Sequence, residues 1–242
     1  HRVSGYFHCS KTTSAVNIGI GLANAGKKVV LIDADAQGSL TASLGFQKPD
    51  ELKVTLATIM AKTINEEEID LSNEEGVDLV PGNIELSGLE VQLSNVLSRE
   101  LILKEFVDSL RDSYDYILID CAPSLGMMTI NALVAADEVI IPVQAAYLPV
   151  KGLQQLMKTI NMVKRRLNKK LQIDGILLAM VDYRTTFARN ISAELFAAYG
   201  ESVGIFENYI PSSIKAVEAS SAGISIYTNM IQKEKSLRHM QR

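Results

Sequence analysis

The chain is short of cysteine. Only Cys9 and Cys121 occur in 242 residues, which makes neither a disulfide framework nor a thiolate metal site. Such usage fits a reducing compartment, and a cytoplasmic protein is expected. Long apolar runs are missing too. None approaches the ~18 residues of a membrane-spanning helix, and no signal-peptide core opens the chain. Basic charge is not in excess: 24 lysines and arginines face 28 acids. That argues against a globally basic nucleic-acid binder and leaves room for a local basic patch. No Gly-x-Gly-x-x-Gly follows an apolar strand, which disfavours a dinucleotide-dependent dehydrogenase. What is present, 47% apolar and 21% charged residues, is ordinary for a folded protein with a full core.

Apolar strands alternate with helical periods along the chain. Residues 11–25 read as a helix, with Ala15, Ile18 and Leu22 on one face and Gly26 as the cap glycine. Strands are expected at residues 28–32, 77–80, 116–119, 138–143 and 175–181, and helices at 98–110, 127–136 and 151–167. Residues 47–75 are polar and acidic around one helical pattern (Leu56, Ile59, Met60) and read as a surface excursion. His1-Arg2-Val3-Ser4-Gly5 lacks the apolar run of a first strand, and none is expected there. This alternation implies βαβ units, hence an α/β fold with a doubly wound, mostly parallel sheet. With no repeat, low-complexity stretch or linker, residues 1–242 read as one domain.

Two of the strands end in acids. Val29-Val30-Leu31-Ile32 runs into Asp33-Ala34-Asp35, and Tyr116-Ile117-Leu118-Ile119 runs into Asp120, with Pro123 stopping the strand. Lys11-Thr12-Thr13 opens the helix just before the first of them. In an open parallel sheet, ligands sit beyond the carboxyl ends of the strands. A lysine at a helix start reaches outer phosphates, the hydroxyl after it binds Mg²⁺, and strand-end acids hold the metal or orient water. Taken singly, each element is also an ordinary capped helix or solvated turn. Their order on successive elements points to a phosphate site.

These motifs, together with Ile141-Pro142-Val143-Gln144, Gly152-Leu153-Gln154-Gln155-Leu156, Met180-Val181-Asp182-Tyr183-Arg184-Thr185 and Ile210-Pro211-Ser212-Ser213-Ile214-Lys215, resemble the ParA/Soj family of deviant-Walker partitioning ATPases, in particular ParA-like proteins of Gram-positive mobile elements. The resemblance spans residues 11–228 and implies a P-loop NTPase fold of the SIMIBI type, with ATP and Mg²⁺ as cofactors. It implies nucleotide contacts from Ser10, Lys11, Thr12, Thr13 and Pro211, catalysis by Lys11 and Asp35, and a metal environment of Thr12, Asp33 and Asp120. It further implies an ATP-bound homodimer that holds DNA without sequence preference on the nucleoid, and a ParB-like partner that stimulates hydrolysis. Lys215 stands where relatives carry a DNA-binding cation, and Arg184 and Arg189 are expected to share that surface. Lys164-Arg165-Arg166 and Lys169-Lys170 read instead as a solvated helix end that suits the helix dipole. A MinD-like membrane role would need a C-terminal amphipathic helix, and the tail here is polar.

The chain departs from that pattern at both ends. The family loop is Lys-Gly-Gly-x-Gly-Lys-Thr-Thr; here it is Tyr6-Phe7-His8-Cys9-Ser10-Lys11-Thr12-Thr13. Tyr6 replaces the signature lysine, and Phe7, His8 and Ser10 replace the glycines. Side chains there crowd the bare backbone that cradles phosphate, so impaired ATP binding and hydrolysis are expected. Ala36, Ala146 and Lys151 are lesser departures. The tail after Thr228 has no family counterpart. Plausible codons for residues 229–240, read one base out of frame, spell His-Asp-Pro-Lys-Gly-Lys-Val-Ala-Glu-Ala-Tyr, the end that relatives carry. A one-base frameshift is therefore expected in the gene or its read. Resequencing the gene checks this, and codons that lack the alternative frame sink it.

Overall fold

Val29 to Ile32 leave water on both faces of the sheet, because helices cover both sides of a parallel sheet. The computed structural model describes residues 2–6, 11–65, 72–74, 77–144, 150–182 and 184–212. In chain order these form β1 (Arg2–Tyr6), α1 (Lys11–Asn24), β2 (Val29–Ala34), α2 (Ser39–Ser43), α3 (Leu56–Ile64), β3 (Ser72–Glu74) and β4 (Val77–Val80). There follow α4 (Glu85–Leu93), α5 (Ile102–Leu110), β5 (Tyr116–Cys121), α6 (Met127–Ala135), β6 (Glu138–Gln144), α7 (Val150–Arg166), β7 (Gln172–Ala179) and α8 (Thr186–Tyr199). The seven strands make one sheet in the order β3-β4-β2-β5-β1-β6-β7. β3 is antiparallel at the edge and every other pairing is parallel. The doubly wound α/β architecture is the one expected from the alternating pattern.

Alternation along β2 divides the core. Val29 and Leu31 point to one face, where they meet Ala15, Val16 and Ile20 of α1 together with Leu40, Leu79 and Leu118. Val30 and Ile32 point to the other, among buried residues of α3, α4, α5 and α6. Gly19 lets α1 lie close on the sheet, since a Cβ there would fall 2.8 Å from Leu31 Cδ2. Gly26 closes α1 at φ +78°, with its N–H donating to the Ala23 carbonyl.

Two expectations are corrected. The first residues do form a strand. β1 sits in the middle of the sheet, in register with β5 from Arg2↔Tyr116 to Tyr6↔Asp120 and beside β6. Tertiary pairing overrides its weak local propensity. Val3 is fully buried, and Ser4 Oγ donates to Glu138 Oε1 at 2.8 Å. Asp137 holds the strand's start, accepting from Val3 N at 3.0 Å while its own N–H donates to the Val3 carbonyl. The stretch around Leu56 is not a surface excursion either. Leu56, Ile59 and Met60 of α3 are buried in the main core, and Thr55 and Thr58 form a reciprocal capping box at its start. Polar flanks disguised one apolar helix face. α4, α8 and β3 had no distinct signal, and helix 98–110 begins later, at Ile102.

Asn168 ties α7 to α6. Its Nδ2 donates to the carbonyls of Leu133, Val134 and Ala136, which end α6 without intrahelical partners. Asn168→Ala is therefore expected to cost about 1–2 kcal/mol in urea unfolding with an unchanged m-value. Asn168→Asp is expected to cost at least as much, because a carboxylate cannot donate.

Candidate functional site

The carboxyl ends of β2 and β5 stand side by side, with Asp33 in register with Asp120 and Ala34 with Cys121. The N-terminus of α1 points at this edge, after residues 7–10, which lie outside the described residues together with the expected contact Ser10. Geometry therefore delivers Lys11 and Thr12 onto the acids. Lys11 Nζ donates to Asp35 Oδ2 at 3.0 Å and to the Cys121 carbonyl. Thr12 Oγ1 donates to Asp120 Oδ2 at 2.6 Å. Thr13 follows, half-buried, its carbonyl accepting from Asn17 Nδ2. Elements distant in sequence thus share one cluster of three buried acids and one buried lysine.

The acids have different surroundings. Both oxygens of Asp33 are engaged: Oδ1 accepts from Asp35 N at 3.2 Å, and Oδ2 accepts from Thr41 N at 2.9 Å and Thr41 Oγ1 at 2.7 Å. Asp35 Oδ1 accepts from Gln37 N at 3.1 Å, while Oδ2 takes Lys11. Asp120 Oδ1 is buried and has no hydrogen-bond partner among the described residues. A buried carboxylate oxygen of this kind is costly unless something cationic or donating meets it.

Burial pushes the Asp33 carboxyl up to about 6, against the lowering effect of the Thr41 hydrogen bonds. Burial also raises Asp120, to about 7, with Lys11 opposing and the Asp33 charge adding. Such an acid-rich pocket favours a cation. The donor set fits Mg²⁺: one hydroxyl, one carboxylate with a spare oxygen, and room in the coordination shell for water and phosphate. Among the described residues no three His, Cys, Asp or Glu side chains gather as a full metal cage.

Several contributors belong to no motif in the sequence. Thr41 is fully buried, grips Asp33, and accepts from Gly82 N at 2.9 Å. Gly82 was legible only as a turn stop; a Cβ on it would fall 2.4 Å from the Asp33 carbonyl oxygen. Glu90 Oε1 accepts from Met128 N at 2.9 Å at the start of α6. A cavity of ≈ 260 Å³ opens beside Asp35, lined by Gln37, Ser87, Glu90, Ser124 and Met128 among others.

The remaining expected residues lie on other elements. Pro211 is exposed and bridges to Val181 after β7. Arg184 is exposed and turned onto Asp182, donating from Nε and Nη2 at 2.8 Å each. That arginine holds the Asp182 carboxyl down to about 2. Arg189, on α8, donates to Thr186 Oγ1 at 3.3 Å. Lys215 lies outside the described residues, as do Ala146 and the 229–242 end.

The raised carboxyls make stability pH-dependent. Between about pH 4 and 7 the folded chain keeps protons on Asp33 and Asp120 that the unfolded chain has released. Stability from these two groups is thus present at low pH and lost as pH rises through that window. In chelator, the urea midpoint is expected to be higher at about pH 5 than at about pH 7.5, and Asp120→Asn is expected to flatten the difference. An equally steep dependence in that variant would remove Asp120 as a cause.

Comparison with known proteins agrees with this geometry. A family model, the AAA domain, matches residues 8–173. The chain is 39% identical over 213 residues to the sporulation initiation inhibitor protein Soj of Bacillus subtilis, covering 88% of this chain and 83% of that one. It is 35% identical over 215 residues to the chromosome partitioning protein ParA of Caulobacter vibrioides, covering 88% and 80%. Among solved structures, a cobyrinic acid a,c-diamide synthase from Mycobacterium smegmatis with bound ADP and magnesium superposes with a TM-score of 0.82 at 34% identity, over 91% of this chain and 89% of that one. On sequence and fold together, the chain belongs to the ParA/Soj family of partitioning ATPases.

Proposed function

We propose that this chain is a ParA-type ATPase that binds ATP with Mg²⁺, pairs with a second copy in that state, and holds DNA without sequence preference on the nucleoid, with a ParB-like partner stimulating hydrolysis. The observation that carries the reading is the pair of contacts across the strand ends, Lys11 to Asp35 and Thr12 to Asp120. Homology to Soj and ParA supports the DNA-segregation role. The synthase activity of the solved neighbour is not carried over, because relatives of higher identity include chromosome-partitioning proteins.

Each residue then has a definite task. Lys11 turns its ammonium from Asp35 to the outer phosphates, aided by the field of the α1 N-terminus. Asp35, released from Lys11, orients the attacking water, for which the adjoining cavity gives room. Thr12 and the spare oxygen of Asp120 would hold Mg²⁺, which when bound neutralises charge on the phosphate oxygens. Asp33 stands behind them and fixes the turn from Asp35 to Thr41. The replaced loop glycines favour a second reading, a scaffold of this fold that binds DNA or a partner without ATP chemistry.

ATP turnover with and without DNA separates the two. The chain as it stands is expected to bind Mg²⁺-ATP weakly, and a variant with Tyr6→Lys, Phe7→Gly, His8→Gly and Ser10→Gly is expected to gain turnover. In that restored variant, Asp35→Ala should cut turnover by about 100-fold or more while nucleotide binding persists. Tight binding by the unaltered chain would refute the loop argument; no binding by either form would refute the ATPase reading.

A further inference from the structure

Charge is segregated in this acidic chain. From Val139 to Ile173 there is no acid and there are seven cations, leaving 17 cations against 28 acids elsewhere. About half of that stretch is α7. Its buried side carries Leu153, Leu156, Ile160 and Val163. Its outward side carries Lys158, Met162, Arg165 and Arg166, with the amides of Gln154, Gln155 and Asn161 alongside, and Lys169 and Lys170 extend it past the helix end.

Among the described residues none of the cations Lys158, Lys164, Arg165, Arg166, Lys169 and Lys170 has an ion-pair partner. Several cations elsewhere do, among them Lys48 with Glu51, Lys104 with Asp108, Arg111 with Asp137, and Arg184 with Asp182. Others, such as Lys53, have none among the described residues, but Lys53 stands close to Asp50 and Glu51 in the sequence rather than in an acid-free stretch. The helix dipole accounts for cations in the last turn only. Lys158 stands about two turns upstream, and Lys169 and Lys170 lie beyond the helix.

We infer that the outward face of α7, continued by Lys169 and Lys170, is the phosphate-contacting surface for duplex DNA. The inference rests on the DNA-binding reading above and places a phosphate contact on α7, beside whatever the exposed Arg184, paired with Asp182, contributes. The chemistry fits a nucleic-acid backbone, which is met by lysine, arginine and amide donors and needs no base contacts. A membrane surface is the weaker fit, because docking on lipid needs a broad apolar face. Here the exposed large apolar side chains are Met162 at 47% and Leu167 at 43% exposure, and Leu167 does not share the outward line.

The test is a salt series of fluorescence anisotropy on two unrelated duplexes of equal length, with Mg²⁺-ATP and without nucleotide. It compares the full chain, R165Q/K169Q, and K158Q/R165Q/R166Q/K169Q/K170Q, with melting curves as the folding control. Each lost phosphate contact should reduce the slope of log K against log salt by about 0.9. The double variant should lose roughly two units of slope and the quintuple variant roughly four to five, equally on both duplexes. Affinity at moderate salt should fall by at least about tenfold in the double variant. Folded variants that keep the parent slope would overturn the α7 assignment and leave DNA binding itself intact. A parent chain that binds neither duplex in either nucleotide state overturns the DNA reading as well. Binding of the parent to vesicles of anionic phospholipid but not to duplex overturns the inference in favour of a membrane surface.

Discussion

Burying three carboxylates beside a single lysine is the constraint on which the rest of this structure turns. Asp33, Asp35 and Asp120 are nearly removed from water at the carboxyl edge of the sheet, and Lys11 is the cation that pairs there with Asp35. An arrangement of that kind stands only if each oxygen is answered. Thr41 and the Asp35 amide answer Asp33, Gln37 and Lys11 answer Asp35, and Thr12 answers half of Asp120. The other half of Asp120 faces no donor among the described residues. The fold thus builds in an unmet demand for positive charge, and a phosphate-bound divalent cation is the ligand that suits it.

Meeting this demand dictates local geometry well away from the acids. Thr41 has to be buried so that its hydroxyl reaches Asp33, which sets the start of α2. Gly82 has to be glycine because the chain after β4 passes against the Asp33 carbonyl. β1 has to occupy the middle of the sheet so that α1 begins at the same edge where β2 and β5 end. Its weakly apolar sequence is held there by Glu138 at Ser4 and by Asp137 at Val3. The site is therefore supported from both the loops above it and the strands beneath it.

Much of this was legible in the residues. Four-residue apolar runs with acids at their ends identified β2 and β5, since only a strand covered on both faces needs such a run. Lys11 and Thr12 were recognisable because a lysine and a hydroxyl open a helix just before a strand that ends in acids. Less was legible wherever a segment is held by its neighbours. β1 failed the apolar test because two of its buried residues are Ser4 and Gly5 and its pairing to β5 and β6 holds it in place, and α3 hid behind acidic flanks. Thr41 carried no motif, because its role follows from a hydrogen bond to a residue eight positions away.

The sequence by itself determined the α/β class, the parallel sheet, the acids and the lysine, because hydrophobic period and chemical type are local properties of the chain. It also determined the loss of the loop glycines and the gathering of positive charge between Val139 and Ile173. Only the tertiary structure decided which acid is saturated and which is open, and that Lys158, Arg165 and Arg166 stand on one outward side of α7 with no ion-pair partner among the described residues. The state of the acids depends on distances between elements far apart in the chain, and burial makes such distances count, since a charge withdrawn from water must find its partner in the fold.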